Sequence, residues 1–292
     1  MNEYVKKFRA HLEQAGKSKN TVDTYTRNTE LFIDWFESIY KDDFKGKIIL
    51  LDCQEYSRYL TDIKKQSINS IKSKLQTLQK FVDFLAANGY MSALKVPQKK
   101  GSSDPKVEVL TVSELRKYIR EVQSEGNALN TAVVMLLLNT GIRESELCAL
   151  ELSDITITER KGFIKIRKGK GDKYREIPLN KDTRYFVTEY LKTRPTNTES
   201  EKVFIGQRGA LTRTAIYKIV NKLGEKHIKR NVYPHMLRHQ CFTTMAKNPD
   251  IDLKTISAIA GHSSVELTAK YYINSSEEEK RNAVENLSFF ND

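Results

Sequence analysis

Six side chains in this 292-residue chain have the types and order needed to work on a phosphodiester: Arg143, Lys170, His235, Arg238, His262 and Tyr271. Cleavage of such a bond by an enzyme nucleophile makes three demands. Charge developing on the non-bridging oxygens must be stabilised, the nucleophile must lose its proton, and the leaving oxygen must gain one. Arg143 and Arg238 suit the first task, because a guanidinium stays charged and grips two phosphate oxygens in one plane. Tyr271 suits attack on phosphorus, with the bond energy kept in a covalent phosphotyrosine for resealing. Lys170, in Gly169-Lys170-Gly171-Asp172, could reach the leaving oxygen as a general acid, and His235 and His262 could hold the phosphate and relay protons near neutral pH. This set calls for neither a metal nor another cofactor.

Taken singly, each residue is ordinary: a surface arginine, a solvated turn, a packed tyrosine. The chemistry of a phenol does not separate Tyr271 from Tyr272, nor that of an ammonium Lys170 from Lys173. Glu146 follows Arg143 by three residues, on the same helix face, and could pin a guanidinium or an imidazole. His235 and His239 stand four apart, as zinc-binding histidines do in a metalloprotease, but Met236 occupies the place where that motif needs a glutamate base.

The elements that must carry these groups fall into two parts. Before residue 95 the chain reads as helices. Val22, Tyr25, Thr29, Phe32, Ile33, Phe36 and Ile39 keep helical spacing behind a Ser18 cap, and Ile68, Ile71, Leu75, Leu78, Val82 and Leu85 mark a helix from Ser67 to Asn88-Gly89. Tyr56, Tyr59, Leu60 and Ile63 point to another between them, while Lys72, Lys74 and Lys80 lie mainly off the apolar stripe. Residues 96–109 read as a polar, proline-punctuated linker, dividing the chain into domains at 1–95 and 110–292.

Beyond the linker, Thr111-Val112-Ser113-Glu114 is a capping box. Ala128 to Asn139 reads as a buried helix closed by Gly141, and Arg143 to Leu150 as a short one. The period then changes to two: Ile155 and Ile157, Ile164 and Ile166, Ile177 and Leu179 predict a small antiparallel sheet with Lys170 at a hairpin tip. Helices are expected to resume near Thr212, over 213–223, 235–247, 252–260 and 264–272, with a weakly amphipathic tail over 275–287. The fold class is therefore mainly α with a small antiparallel β-sheet.

A net charge of +12 and a pI near 9.4 favour a polyanionic partner, since each neutralised phosphate releases counterions. The excess is shared: 18 Lys and Arg face 12 Asp and Glu in residues 1–100, and 31 face 25 in the remainder, so both parts could meet nucleic acid. Three cysteines without paired spacing read as reduced thiols and point to a cytoplasmic setting. The longest apolar run, Ala132 to Leu138, is too short to cross a bilayer, and the N-terminus has no signal-peptide pattern, so no membrane role is expected.

The ordered set resembles the tyrosine recombinase, or phage integrase, family, in its Xer and Cre-like two-domain form. The Thr-Gly-x-Arg-x-x-Glu-Leu box matches at Thr140 to Leu147, the glycine-bounded lysine at Lys170, the His-Leu-Arg-His box at His235 to His239 and Gly-His at Gly261-His262. The nucleophile follows that histidine by nine residues, which prefers Tyr271 over Tyr272, and Gly-Lys-Gly prefers Lys170 over Lys173. Ser18, Thr21 and Tyr25 look like the family's core-binding signature, placed too early for an arm-binding domain before it.

The resemblance implies a helical core-binding domain and a mixed α/β catalytic domain that form a C-shaped clamp on double-stranded DNA. It further implies a homo-tetramer on two recombination sites, a 3'-phosphotyrosyl intermediate, a Holliday junction and a tail helix docked on a neighbouring protomer. Accessory or directionality proteins, and a mobile genetic element as the source, fit the same family. The alternatives are DNA relaxation of the type IB topoisomerase kind and a catalytically silent DNA-binding accessory protein.

Overall fold

In the computed structural model of the chain, the described residues are 2–101, 108–167, 174–196 and 199–261. Lys170, Lys173, His262, Tyr271, Tyr272, the stretch 264–272 and the tail lie outside them. The chain divides into two compact units, Met1–Pro105 and Lys106–Asp292.

The first unit is helical: α1 (Glu3–Gln14), α2 (Lys19–Tyr40), α3 (Leu50–Arg58), which runs on into a π-type turn over Tyr59–Ile63, and α4 (Ile68–Ala87). Local chemistry sets the starts. The Ser18 hydroxyl accepts from the Thr21 amide and Ser67 from the Ser70 amide, each satisfying a donor that the first helical turn leaves open. The helices close on an aromatic core of Phe8, Phe32, Trp35, Phe44, Tyr56 and Phe81. Phe32 and Tyr56 meet edge to face at 5.1 Å, the arrangement their ring quadrupoles favour. Val96 is buried in this core and its amide donates to Gln79 at 2.7 Å, so the start of the expected linker packs with the first unit. Ile39 and Ile63 continue the apolar spacing but are 58% and 71% exposed, because each sits where its helix ends.

The second unit opens with α5 (Val112–Ser124). Its capping box is complete: Glu114 accepts from the Thr111 amide at 2.8 Å and the Thr111 hydroxyl from the Glu114 amide at 3.3 Å. Next come α6 (Ala128–Thr140), buried without a break from Thr131 to Leu138, and α7 (Glu144–Ala149). The strands β1 (Ile155–Ile157), β2 (Gly162–Ile166) and β3 (Arg175–Pro178) form the expected antiparallel sheet in the order β1-β2-β3. Ile164 pairs with Ile155 on one side and Ile177 on the other, which puts the alternating isoleucines on one inward face.

Helices resume earlier than the sequence pattern implied. α8 (Lys181–Thr193) follows β3 directly and packs on α6; it escapes detection because only Thr183, Val187 and Tyr190 of its surface are buried among charged neighbours. Two short strands, β4 (Ile205–Gly206) and β5 (Gly209–Ala210), precede α9 (Arg213–Ile228), α10 (Pro234–Ala246) and α11 (Leu253–Ala260). α9 continues through Gly224, where a Cβ would stand 2.5 Å from Val232; that glycine serves a close approach rather than a helix end.

Gly141 has two constraints at once. It ends α6 in the left-handed region at φ 59°, and a Cβ there would lie 2.4 Å from the Phe242 ring. Gly141→Ala should cost about 2–4 kcal/mol from backbone strain and overpacking together. Urea unfolding at neutral pH measures this, and a loss below about 0.5 kcal/mol, the surface-substitution range, would contradict it.

Candidate active site

The box around Arg143 assembles from its own sequence. The Thr140 hydroxyl donates back to the Leu136 carbonyl at 2.6 Å and accepts from the Ile142 amide at 3.3 Å, closing α6. Gly141 reverses the chain, Ile142 is buried, and Arg143 is extended at φ −71°, ψ 148° as the residue before α7. Glu146, in the first turn of α7, accepts from the Arg143 amide at 2.9 Å and from the Arg143 guanidinium at 2.9 Å. One carboxylate thus starts the helix and aims the arginine.

The second box lies on α10, which begins with Pro234 at a position where no amide is needed. His235, Arg238 and Phe242 recur at helical spacing. Arg238 is 2% exposed, its guanidinium 4.8 Å above the Phe242 ring, a desolvated cation–π contact. It donates to the Gly141 carbonyl and, at 2.7 Å, to the Ala260 carbonyl.

The end of α11 draws these parts together. Asp252 caps its start by accepting from the Thr255 amide, and Gly261 ends it at φ 60°. A small cluster of Cys241, Phe242, Ile256 and Ala260 seats it on α10. Three arginines from three elements then hold three successive carbonyls: Arg175 of β3 donates to Ile259 at 2.9 Å, Arg238 to Ala260 and Arg143 to Gly261 at 3.2 Å. A helix C-terminus carries partial negative charge, so it is a natural seat for cations. Arg143 and Arg238, 95 positions apart in sequence, therefore bond to neighbouring residues roughly 3.8 Å apart along the chain.

Arg143, His235 and Arg238 also line one cleft of about 310 Å³, with Glu144, Ser145, Arg213, Tyr217, Tyr233 and Pro234. Arg213 and Glu144 pair at 2.8 Å across its edge. Glu146 carries a single negative charge against Arg143 and Arg175, and burial alone would raise its proton affinity. Hydrogen bonds and charge from Arg175, joined by Arg143, outweigh that and hold it below the usual glutamate range. Positive charge is left over in the cleft, which suits an anion with oxygens in two directions.

His235 is held below the ordinary imidazole range, first by burial and then by the charges of Arg238 and Arg143, so it is neutral at pH 7. A lowered folded-state value means that the unfolded chain takes up the proton first as pH drops below about 6.5. His235 withdraws stability only below that point and has no such effect above it. Urea midpoints at about pH 7.5 and about pH 5.5 should show a smaller acid loss in His235→Gln than in the native chain. An equal loss would mean that the ring is not held neutral.

The structure brings together Arg143, His235 and Arg238 of the six expected residues, and Glu146 pins guanidiniums, Arg143 and Arg175, rather than an imidazole. Lys170, His262 and Tyr271 fall outside the described residues. Arg175 is the residue that sequence reasoning passed over. The signal was present: it lies two positions before Ile177 and four before Leu179, on the inward face of β3. As for a zinc site, the His235 and His239 rings meet edge to face at 4.4 Å, and among the described residues they join no metal-holding group.

A family model described as the phage integrase family matches residues 108–279, more than half of the chain and the whole of this site. The chain belongs to the phage integrase family. Members are tyrosine recombinases, site-specific enzymes that break and rejoin DNA. TnP I resolvase of Bacillus thuringiensis is 32% identical over 279 residues, 91% of this chain and 94% of that protein. Tyrosine recombinase XerA of Pyrococcus horikoshii is 31% identical over 92% of this chain and 88% of its own length.

Among solved structures, XerA recombinase aligns over 99% of both chains with a TM-score of 0.54 and 25% identity. XerH site-specific recombinase, bound to a palindromic difH substrate after cleavage, shares the fold of this integrase family member at a TM-score of 0.75 and 20% identity, over 95% and 84% of the chains. The mostly helical architecture with small antiparallel sheets is thus that of tyrosine recombinases. No described helix is long and apolar enough to cross a membrane.

Proposed function

We propose that the cleft lined by Arg143, His235 and Arg238 holds the scissile phosphate of a double-stranded DNA recombination site, and that Tyr271 attacks its phosphorus. The observation that carries this reading is the meeting of two guanidiniums and a neutral imidazole in one cleft, next to the carbonyl of Gly261, the residue that precedes His262. The guanidiniums stabilise charge on the non-bridging oxygens as the phenolate bonds to phosphorus. Lys170 gives a proton to the departing 5'-oxygen, and His235 and His262 hold the phosphate and relay protons. The product is a 3'-phosphotyrosyl linkage and a free 5'-hydroxyl. Attack by the 5'-hydroxyl of a second duplex reverses the chemistry and releases the tyrosine, without a metal or nucleotide energy.

The helical unit supplies a core-binding, DNA-holding surface, and the unit containing the cleft is catalytic. Lys74 supports the first assignment: burial, then the charges of Arg27 and Lys64, hold it below the ordinary lysine range, and a backbone phosphate would relieve that repulsion. Four protomers acting on two sites, pairwise exchange through a Holliday junction and a tail that docks on the neighbouring protomer complete the reading. Accessory or directionality proteins, a mobile-element role and a cytoplasmic setting belong to it as well.

A nicked suicide substrate tests the first step, because loss of a short 5' fragment traps the protein covalently. Trapping is the expected result, and binding without trapping would leave only a silent DNA-binding protein. Resolution of a synthetic Holliday junction then separates recombination from topoisomerase-like relaxation, which needs no junction.

A further inference from the structure

We propose that Arg175 is a positioning residue for strand cleavage: its guanidinium joins Glu146 to the end of α11, and so fixes where Arg143 and Gly261 stand and keeps the charge of Arg143 available to phosphate. This rests on the reading of the cleft as a phosphate site. All three nitrogens of Arg175 are committed. Nη1 and Nη2 donate to the two Glu146 oxygens at 3.0 and 2.7 Å, and Nε donates to the Ile259 carbonyl at 2.9 Å. The side chain is 10% exposed and, unlike Arg143 and Arg238, does not line the cleft. Gly261 presses on the guanidinium: a Cβ there would lie 3.0 Å from Nη1.

The consequence is electrostatic as well as steric. Arg143 and Arg175 share one buried carboxylate, so one positive charge remains. Without Arg175, both Glu146 oxygens turn to Arg143 alone, and its charge is neutralised where the phosphate needs it. The end of α11 loses an anchor in the same step. Lysine cannot substitute, since a point charge on a flexible stem lacks the fork that spans the carboxylate and the carbonyl. β3 adds a further link, because Arg175 pairs with Ile166 of β2 and so ties the guanidinium to the sheet.

The test compares the native chain with Arg175→Met, Arg175→Lys and Arg143→Ala in single-turnover trapping on the suicide substrate, alongside DNA affinity and thermal stability. Cleavage should fall about a hundredfold in both Arg175 variants, as a misplacement of about 1 Å commonly causes. DNA affinity should stay within about threefold, since Arg175 does not line the cleft and its guanidinium nitrogens are held by Glu146 and Ile259. A methylphosphonate at the scissile position carries no charge to neutralise, so there the gap between native and Arg175→Met rates should shrink at least about tenfold. A purely structural loss would leave the gap unchanged and overturn the proposal, as would native-like cleavage.

Should Arg175→Met fold poorly, the pair Glu146→Gln and Glu146→Gln/Arg175→Met decides the point. Once the carboxylate is neutral, removing Arg175 should add less than about threefold, and an additive loss would mean that Arg175 does not act through Glu146. Collapse of Arg143→Ala with a normal Arg175→Met refutes the positioning role alone. Normal trapping by Arg143→Ala refutes the reading of the cleft itself.

Discussion

A Tyr271→Phe variant is expected to bind its DNA site as the native chain does and to form no covalent complex. The substitution removes one oxygen and nothing else. Affinity for DNA comes from contacts to many phosphates, which the loss of a single phenol does not disturb. Cleavage has no such redundancy, because in the proposed mechanism that oxygen makes the covalent bond. The expected fall is roughly 10⁴-fold or more, the scale seen when a nucleophile is deleted and only binding and charge stabilisation remain. Gel detection of protein–DNA adducts on the suicide substrate gives the measurement. Undiminished trapping in Tyr271→Phe, lost instead in Tyr272→Phe, would move the nucleophile by one residue.

The arginines rank second. Arg143→Ala and Arg238→Ala should each lower cleavage roughly 10²–10³-fold, the cost of removing a preorganised donor from a developing anion. Their effects on folding should differ. Arg143 keeps 24% of its side chain exposed, so its loss leaves little buried and unpaired. Arg238 is enclosed between the Phe242 ring and the carbonyls of Gly141 and Ala260. Arg238→Ala strands those acceptors and should also destabilise the fold, by about 1–3 kcal/mol for each unsatisfied group. Arg238→Lys retains the charge and some of the bonding, so it should recover more stability than activity. A cleavage loss of tenfold or less in the folded alanine variants would remove these residues from the site.

Much of the architecture was legible because its determinants are local. Ser18, Ser67 and Thr111 announce helix starts, since each cap acts on an amide three residues ahead. The switch from helical spacing to alternation at Ile155 announces the sheet for a similar reason, and the pairing of Ile155, Ile164 and Ile177 follows from burying one face. α8 was not legible. Three buried side chains on a charged helix make too narrow a stripe, and their burial comes from distant parts of the chain, α6 and, for Tyr190, Phe204. α9 runs five residues past the expected end at 223, and Gly224 within it serves a close approach to Val232.

The sequence by itself determined the inventory of chemistry: guanidiniums, imidazoles, an ammonium and a phenol in family order, each held in a segment short enough to recognise. Tertiary structure decided the relations among them. That Arg143 donates to Gly261, 118 residues away, and that Arg175 and Arg238 take the two preceding carbonyls, depends on α11 seating on α10 and on β3 facing inward. Which oxygen a guanidinium faces, how much of a carboxylate's charge it must share, and whether an imidazole is stripped of water are properties of the space between elements. They arise from packing over long separations, where no short pattern in the chain records them.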